Sequence, residues 1–216
     1  MNKTRQLTES AMMIAISVVL EFAGRMIIPP MPFGGHLTLC AMLPMVVLSY
    51  RHGVKWGFSA GLAYSIVQMA LGAGTVTAAF QPGYFGDGTM IANAVLMCLC
   101  DYVLAYSLLG LGGCFRNRIK NKGMSLMCGS LVALGARYLA HIASGYILFA
   151  GWAEWFFTQE GFPAWGAELV ASLSPNALGF TYSVVYNGMY MIPEMVITAV
   201  AAVFIARIPG IVVKMK

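Results

Sequence analysis

Long apolar runs alternate with short polar breaks along the chain, at a spacing that fits membrane crossing. A helix needs about 20 apolar residues to cross a bilayer core, within a range near 17–25. Six runs qualify as spans or near-spans: Leu7 to Ile28, Leu37 to Tyr50, Trp56 to Leu71, Thr89 to Gly113, Met124 to Ala150 and Tyr182 to Ala206. Pro29-Pro30 stops the first. The second is short and holds Pro44, which predicts a tilted or kinked helix. Between the third and fourth lies a Gly-rich, aromatic connection from Gly72 to Gly88, with Phe80, Tyr84, Phe85 and Asp87. A long connection from Gly151 to Thr181 carries Trp152, Trp155, Trp165, Glu154, Glu160 and Glu168, and no Lys or Arg. The pattern predicts an all-α, polytopic membrane protein of six transmembrane helices. Residues 1–216 read as a single domain with no soluble part and no internal repeat.

Composition supports the pattern. The 216 residues are 59% apolar and 10% charged, where a soluble domain carries about 25% charged residues. The net charge of +5 is distributed as a topology signal, which excludes a nucleic-acid face. The clusters are Lys3 and Arg5, the turn Arg51-His52-Gly53-Val54-Lys55, then Arg116, Arg118, Lys120 and Lys122, and finally Arg207, Lys214 and Lys216. Six spans put all four on one side, so the N- and C-termini are expected to be cytoplasmic and the protein multi-pass in a cell membrane. The first run is too long for a signal peptide and no small-residue cleavage site follows it, so it reads as the first membrane helix. The five cysteines lie in or beside apolar runs and read as small apolar fillers, neither disulfides nor a metal clip.

Arg25 and Arg137 stand apart from the basic clusters. Arg25 follows Glu21 at i,i+4, the orientation of a helical ion pair. Arg137, His141 and Gly145 share one face of the fifth helix. An arginine inside a membrane helix costs about 3 kcal/mol on insertion scales, and such residues face a bundle interior or a wet cavity. Glu194, which follows Pro193 on the sixth helix, is the expected structural ion-pair partner of Arg137. Asp101 reads either as another partner of Arg137 or as an anion for a cationic ligand. Ser183, Asn187, Tyr190 and Glu194 recur along one face of the sixth helix, flanked by Tyr182 and Tyr186.

Asn93, Asp101, His141, Tyr182 and Asn187 therefore converge in the outer half, with aromatic connections able to close over them. A carboxylate, an imidazole, an amide and aromatic faces suit a small, flat, cationic ring compound. No GxxxxGK[ST], HExxH or GxSxG occurs, so transport energy would come from a partner. A membrane enzyme using His141 and Asp101 as an acid/base pair, or an assembly protein, are the competing classes.

Three segments carry a family resemblance. They are Arg137-Tyr138-x-x-His141-x-x-x-Gly145, Tyr182-Ser183-x-x-Tyr186-Asn187-Gly188 with Pro193-Glu194, and Asp101-Tyr102-Val103-Leu104-Ala105 followed by Leu109-Gly110-Leu111. Gly34-Gly35 leading to Pro44 adds to them. Over nearly its whole length the chain resembles the thiamine-specific S components of energy-coupling factor (ECF) vitamin transporters. The resemblance implies a six-helix bundle that captures thiamine from outside, without a cofactor or bound metal. It implies a complex with a transmembrane T component and two ATPases that drive uptake. The family carboxylate for the aminopyrimidine falls on Asp101, the histidine beside the thiazolium on His141, and the helix-six Tyr and Asn on Tyr182 and Asn187. Tyr84, Tyr102, Phe149 and Trp152 complete the expected substrate site. Ala11 and Ala15 fall where the family contacts its T component. The family usually has Glu at the position of Asp101 and often Trp at that of Phe149. A thiamine precursor or another small heterocyclic vitamin is the alternative ligand.

Overall fold

A computed structural model of the chain describes residues 3–29, 31, 35–85 and 90–213. Pro30, Gly34, Asp87, Gly88, Thr89, Lys214 and Lys216 lie outside the described residues. The chain runs through α1 (Lys3–Ile27), α2 (Leu43–His52), α3 (Val54–Leu71), α4 (Ala73–Ala79) and α5 (Met90–Met97). A π-helical segment, Cys98–Leu104, continues α5, followed by α6 (Ala105–Ser107) and the 3-10 segment Leu108–Gly113. After α7 (Lys122–Phe149) come α8 (Ala153–Thr158), α9 (Trp165–Ser172) and α10 (Pro175–Ile205).

The all-helical, polytopic expectation holds, and length and apolarity alone mark out four or five spans among the described residues. Four stretches are long and apolar enough to cross a membrane: Lys3–Ile27, Ile91–Gly113, Lys122–Thr158 and Pro175–Ile205. The pair α3 and α4, bent by 79°, makes a fifth if taken as one span. Within the expected second span only α2 is helical, and its 10 residues rise about 15 Å of a bilayer core of about 30 Å. Pro44 does not kink this helix. It sits in the first turn of α2, where its missing N–H costs nothing. The preceding residues are held non-helical from the side. Thr38 donates its backbone N–H to Glu194 Oε2 at 2.9 Å and its hydroxyl to Oε1 at 2.7 Å. Irregular backbone inside a membrane protein persists only where the protein itself satisfies it, and Glu194 does so here.

The long connection after α7 is also more ordered than its composition predicts. It folds into α8 and α9, and α10 begins at Pro175 rather than near Tyr182, with Ser174 in extended conformation just ahead of it. α7 likewise starts two residues earlier than expected, because the Asn121 side chain accepts from the Met124 N–H at 3.0 Å and caps it.

The core is centred on α2, which is buried from Leu43 through Arg51. Its Met45, Leu48 and Tyr50 meet Tyr64, Leu109, Leu126, Leu134 and Met191, all with almost no exposure. One end of the bundle is clamped by charge. Glu9 accepts from Arg51 at 3.1 Å, from Arg5 at 3.0 Å and from His52 at 2.8 Å. Arg51 Nη1 also donates to the carbonyls of Gly210 and Ile211 at 2.8 and 2.7 Å. A Cβ on Gly53 would meet Arg116 Nη1 at 2.8 Å, which places the 116–122 turn at the same end. The described residues of these basic clusters thus gather at one end of the molecule.

Candidate ligand-binding cavity

α7 and α10 pack along most of their length, and the cavity opens between them and the Ile91–Gly113 span. Gly145 makes this contact possible. A Cβ there would lie 3.2 Å from Asn187 Nδ2 and closer still to Ser183. With the helices this close, Ser183 donates to the Ile142 carbonyl at 2.7 Å. The resulting cavity is about 340 Å³. Its wall holds Asp101, Tyr102, Tyr84, His141, Phe149, Trp152, Tyr182 and Asn187, the full set of expected substrate contacts. Asn93 is the one outer-half polar residue that is not among its lining residues.

Asp101 sits in the π-helical segment. The Ala105 N–H reaches back to the Cys100 carbonyl, five residues earlier. This wider turn is common at functional sites. From there Asp101 Oδ1 lies 3.0 Å from His141 Nδ1. His141 is 9% exposed, and its Nε2 has no partner among the described residues.

Asn187 is fixed from both ends. Its Nδ2 donates to the Ser183 carbonyl at 2.9 Å and to the His141 carbonyl at 3.3 Å. Its Oδ1 accepts from the Tyr190 hydroxyl. The amide is thereby held with its oxygen, not its nitrogen, free to accept a second bond.

The expected ion pair between Arg137 and Glu194 does not form, and neither does one between Arg137 and Asp101. Among the described residues Glu194 gives both oxygens to Thr38, and Asp101 faces His141. Arg137, 6% exposed, instead lies 4.4 Å over the Tyr106 ring, and its Nη1 contacts Met42 Sδ at 2.9 Å. A guanidinium is planar and weakly hydrated, so an aromatic face can carry it where an ammonium would fail. The predicted Glu21–Arg25 pair does form, at 2.7 Å.

Aromatic rings form the rest of the wall. Tyr84 meets Phe149 at 6.3 Å and Trp152 at 6.2 Å, and Tyr182 lies against Tyr186 at 5.6 Å and Phe156 at 5.2 Å. Burial, then the nearby Asp101 carboxylate, push the Tyr84 hydroxyl above its ordinary pKa, so it stays a neutral donor.

A second cavity, about 230 Å³, adjoins the first and is lined by Glu21, Arg25, Gly35, His36, Thr38 and Glu194. Tyr106, Arg137, Tyr186 and Tyr190 belong to the walls of both. Sequence reading did not find Tyr106, Thr75 or Met97, which also line the main cavity. Tyr106 follows Tyr102 by one helical turn, which was the available signal. Thr75 carries none, since only the bend between α3 and α4 aims it inward. Among the described residues no group of three or more His, Cys, Asp or Glu is placed to hold a metal ion.

The family model described as "Thiamine transporter protein (Thia_YuaJ)" matches residues 7–210. The thiamine transporter ThiT of Bacillus subtilis (strain 168) is 29% identical over 212 residues, covering 93% of this chain and 91% of that protein. A solved structure of ThiT from Listeria monocytogenes is 20% identical, covers 94% of this chain and 98% of its own, and superposes with a TM-score of 0.50, a likeness of fold. The chain therefore belongs to the thiamine transporter family, as a multi-pass cell-membrane transport protein and not an enzyme.

Proposed function

We propose that this chain is the substrate-binding S component of an ECF-type transporter, which takes thiamine from outside the cell for ATP-driven uptake by partner subunits. The observation that carries the reading is the Asp101–His141 pair facing a 340 Å³ cavity walled by Tyr84, Tyr102, Phe149, Trp152 and Tyr182. Thiamine is a cation made of two flat rings. Aromatic faces hold such a cation by about 2 kcal/mol or more when water is excluded.

In this reading Asp101, His141, Tyr182 and Asn187 bind the ligand's polar edges, and Tyr84, Tyr102, Phe149 and Trp152 its ring faces. Residues 1–216 act as one binding unit, with the basic end in the cytoplasm. The absence of a phosphate-binding loop in the chain supports a reading in which a T component and two ATPases supply the energy. Ala11 and Ala15 are exposed on α1, on the side away from its buried positions Gln6, Ser10, Ser17 and Glu21, which suits a helix of the T component.

Tryptophan fluorescence of the purified chain titrated with thiamine tests the assignment. Trp152 lines the cavity, so saturable quenching is expected, and it is lost in His141→Ala. Absence of quenching in a folded sample overturns thiamine as the ligand. Competition by aminopyrimidine and thiazolium fragments then separates thiamine from a precursor or another heterocycle.

A further inference from the structure

The two cavities meet at a wall whose most informative member is Tyr190. Its ring is rooted on the second cavity. Gly35, at φ +85°, passes so close that a Cβ there would lie 2.7 Å from Tyr190 Cδ1. Its hydroxyl ends in the main cavity, where it donates to Asn187 Oδ1. The side chain therefore crosses from one chamber to the other, braced edge-on by Tyr186 at 6.1 Å. Neither other tyrosine of the shared wall does this. Tyr106 carries the Arg137 guanidinium on its face, and Tyr186 packs on Phe156 at 5.7 Å.

We propose that Tyr190 is a specificity-determining partition, latched to Asn187, that confines the ligand to the main cavity and excludes molecules with a longer polar extension. The inference rests on thiamine as the ligand. The excluded extension has a definite chemistry. In the second cavity the carboxylates are already engaged, Glu21 by Arg25 and Gln68 and Glu194 by Thr38. Arg25, His36 and Arg137 remain as hydrogen-bond donors on its wall. A substituent that bears acceptors, such as an ester or an ether, would fill it once the partition is removed.

Two lengthened analogues test this, because either end of the ligand can face Tyr190. One is thiamine O-benzoylated on its hydroxyethyl arm. The other carries 2-methoxyethyl in place of the pyrimidine methyl. Affinities of both are measured against thiamine in wild type, Tyr190→Ala and Tyr190→Phe. The expected result is that at least one analogue gains about tenfold relative to thiamine in Tyr190→Ala. Tyr190→Phe, which keeps the ring and loses the latch, gains severalfold and serves where the alanine variant does not fold. A merely structural tyrosine would weaken all three ligands alike, and that unchanged ratio overturns the proposal. A ligand-free crystal structure of Tyr190→Ala decides the partition without thiamine. One continuous cavity supports it, and two separate cavities overturn it. Failure of wild type to bind thiamine is a separate outcome that removes the functional reading and leaves the structural test standing.

Discussion

His141 Nδ1 and Asp101 Oδ1 lie 3.0 Å apart, joining α7 to the π-helical segment that follows α5. The contact orients both groups. Asp101 is kept off Arg137, and the imidazole Nε2 is left buried without a partner among the described residues.

Asp101→Asn keeps an acceptor for the His141 N–H and removes the charge. Thiamine affinity is expected to fall more than about tenfold, equivalent to about 1.4 kcal/mol. Isothermal titration of the detergent-purified variant reads this directly. An unchanged affinity with the fold intact would take Asp101 out of the site.

Thr38 and Glu194 hold the non-helical chain ahead of α2. Thr38→Val preserves shape and removes the hydroxyl, leaving Glu194 Oε1 without its partner in a residue only 3% exposed. An unsatisfied buried acceptor costs about 1–3 kcal/mol. A lower thermal unfolding midpoint is expected, restored by Thr38→Ser. Equal midpoints for Val and Thr would show that the backbone N–H alone secures this segment.

Glu9 contrasts a buried with an exposed partner on one carboxylate. The Arg51 side chain is 9% exposed and that of Arg5 is 63% exposed. Arg51→Ala also frees two C-terminal carbonyls, so it is expected to destabilise by about 2 kcal/mol or more. Arg5→Ala is expected to cost under about 1 kcal/mol, as exposed pairs do. Thermal scans of the two variants side by side check the order, and a larger loss for Arg5→Ala would refute the clamp.

Ala11 and Ala15 face outward, so bulky residues there leave the cavity intact. Ala11→Trp and Ala15→Trp should bind thiamine as wild type does and fail in uptake by cells that supply the partner subunits. Lost binding in the purified variants would place these alanines inside the bundle.

The sequence by itself determined the fold class and part of the cavity wall, but neither Tyr106, Thr75 and Met97, which line it, nor the exclusion of Asn93. Apolar runs of membrane length force backbone hydrogen bonds inward, and so dictate helices. The helical period then places Arg137, His141 and Gly145, and Ser183, Asn187 and Tyr190, on faces that must find each other. The Glu21–Arg25 pair was legible for the same reason, since i,i+4 contacts need no tertiary partner. Tertiary structure alone decided who pairs with whom. Arg137 had two carboxylates in prospect and took neither, because the Tyr106 face accommodates a flat cation while Thr38 and His141 claim the anions. The non-helical stretch ahead of α2 is held by a contact 156 residues away, between Thr38 and Glu194. Periodicity reports which face of a helix is buried. It carries no information on which of several buried polar groups will satisfy another, because that depends on distances set only when the helices close.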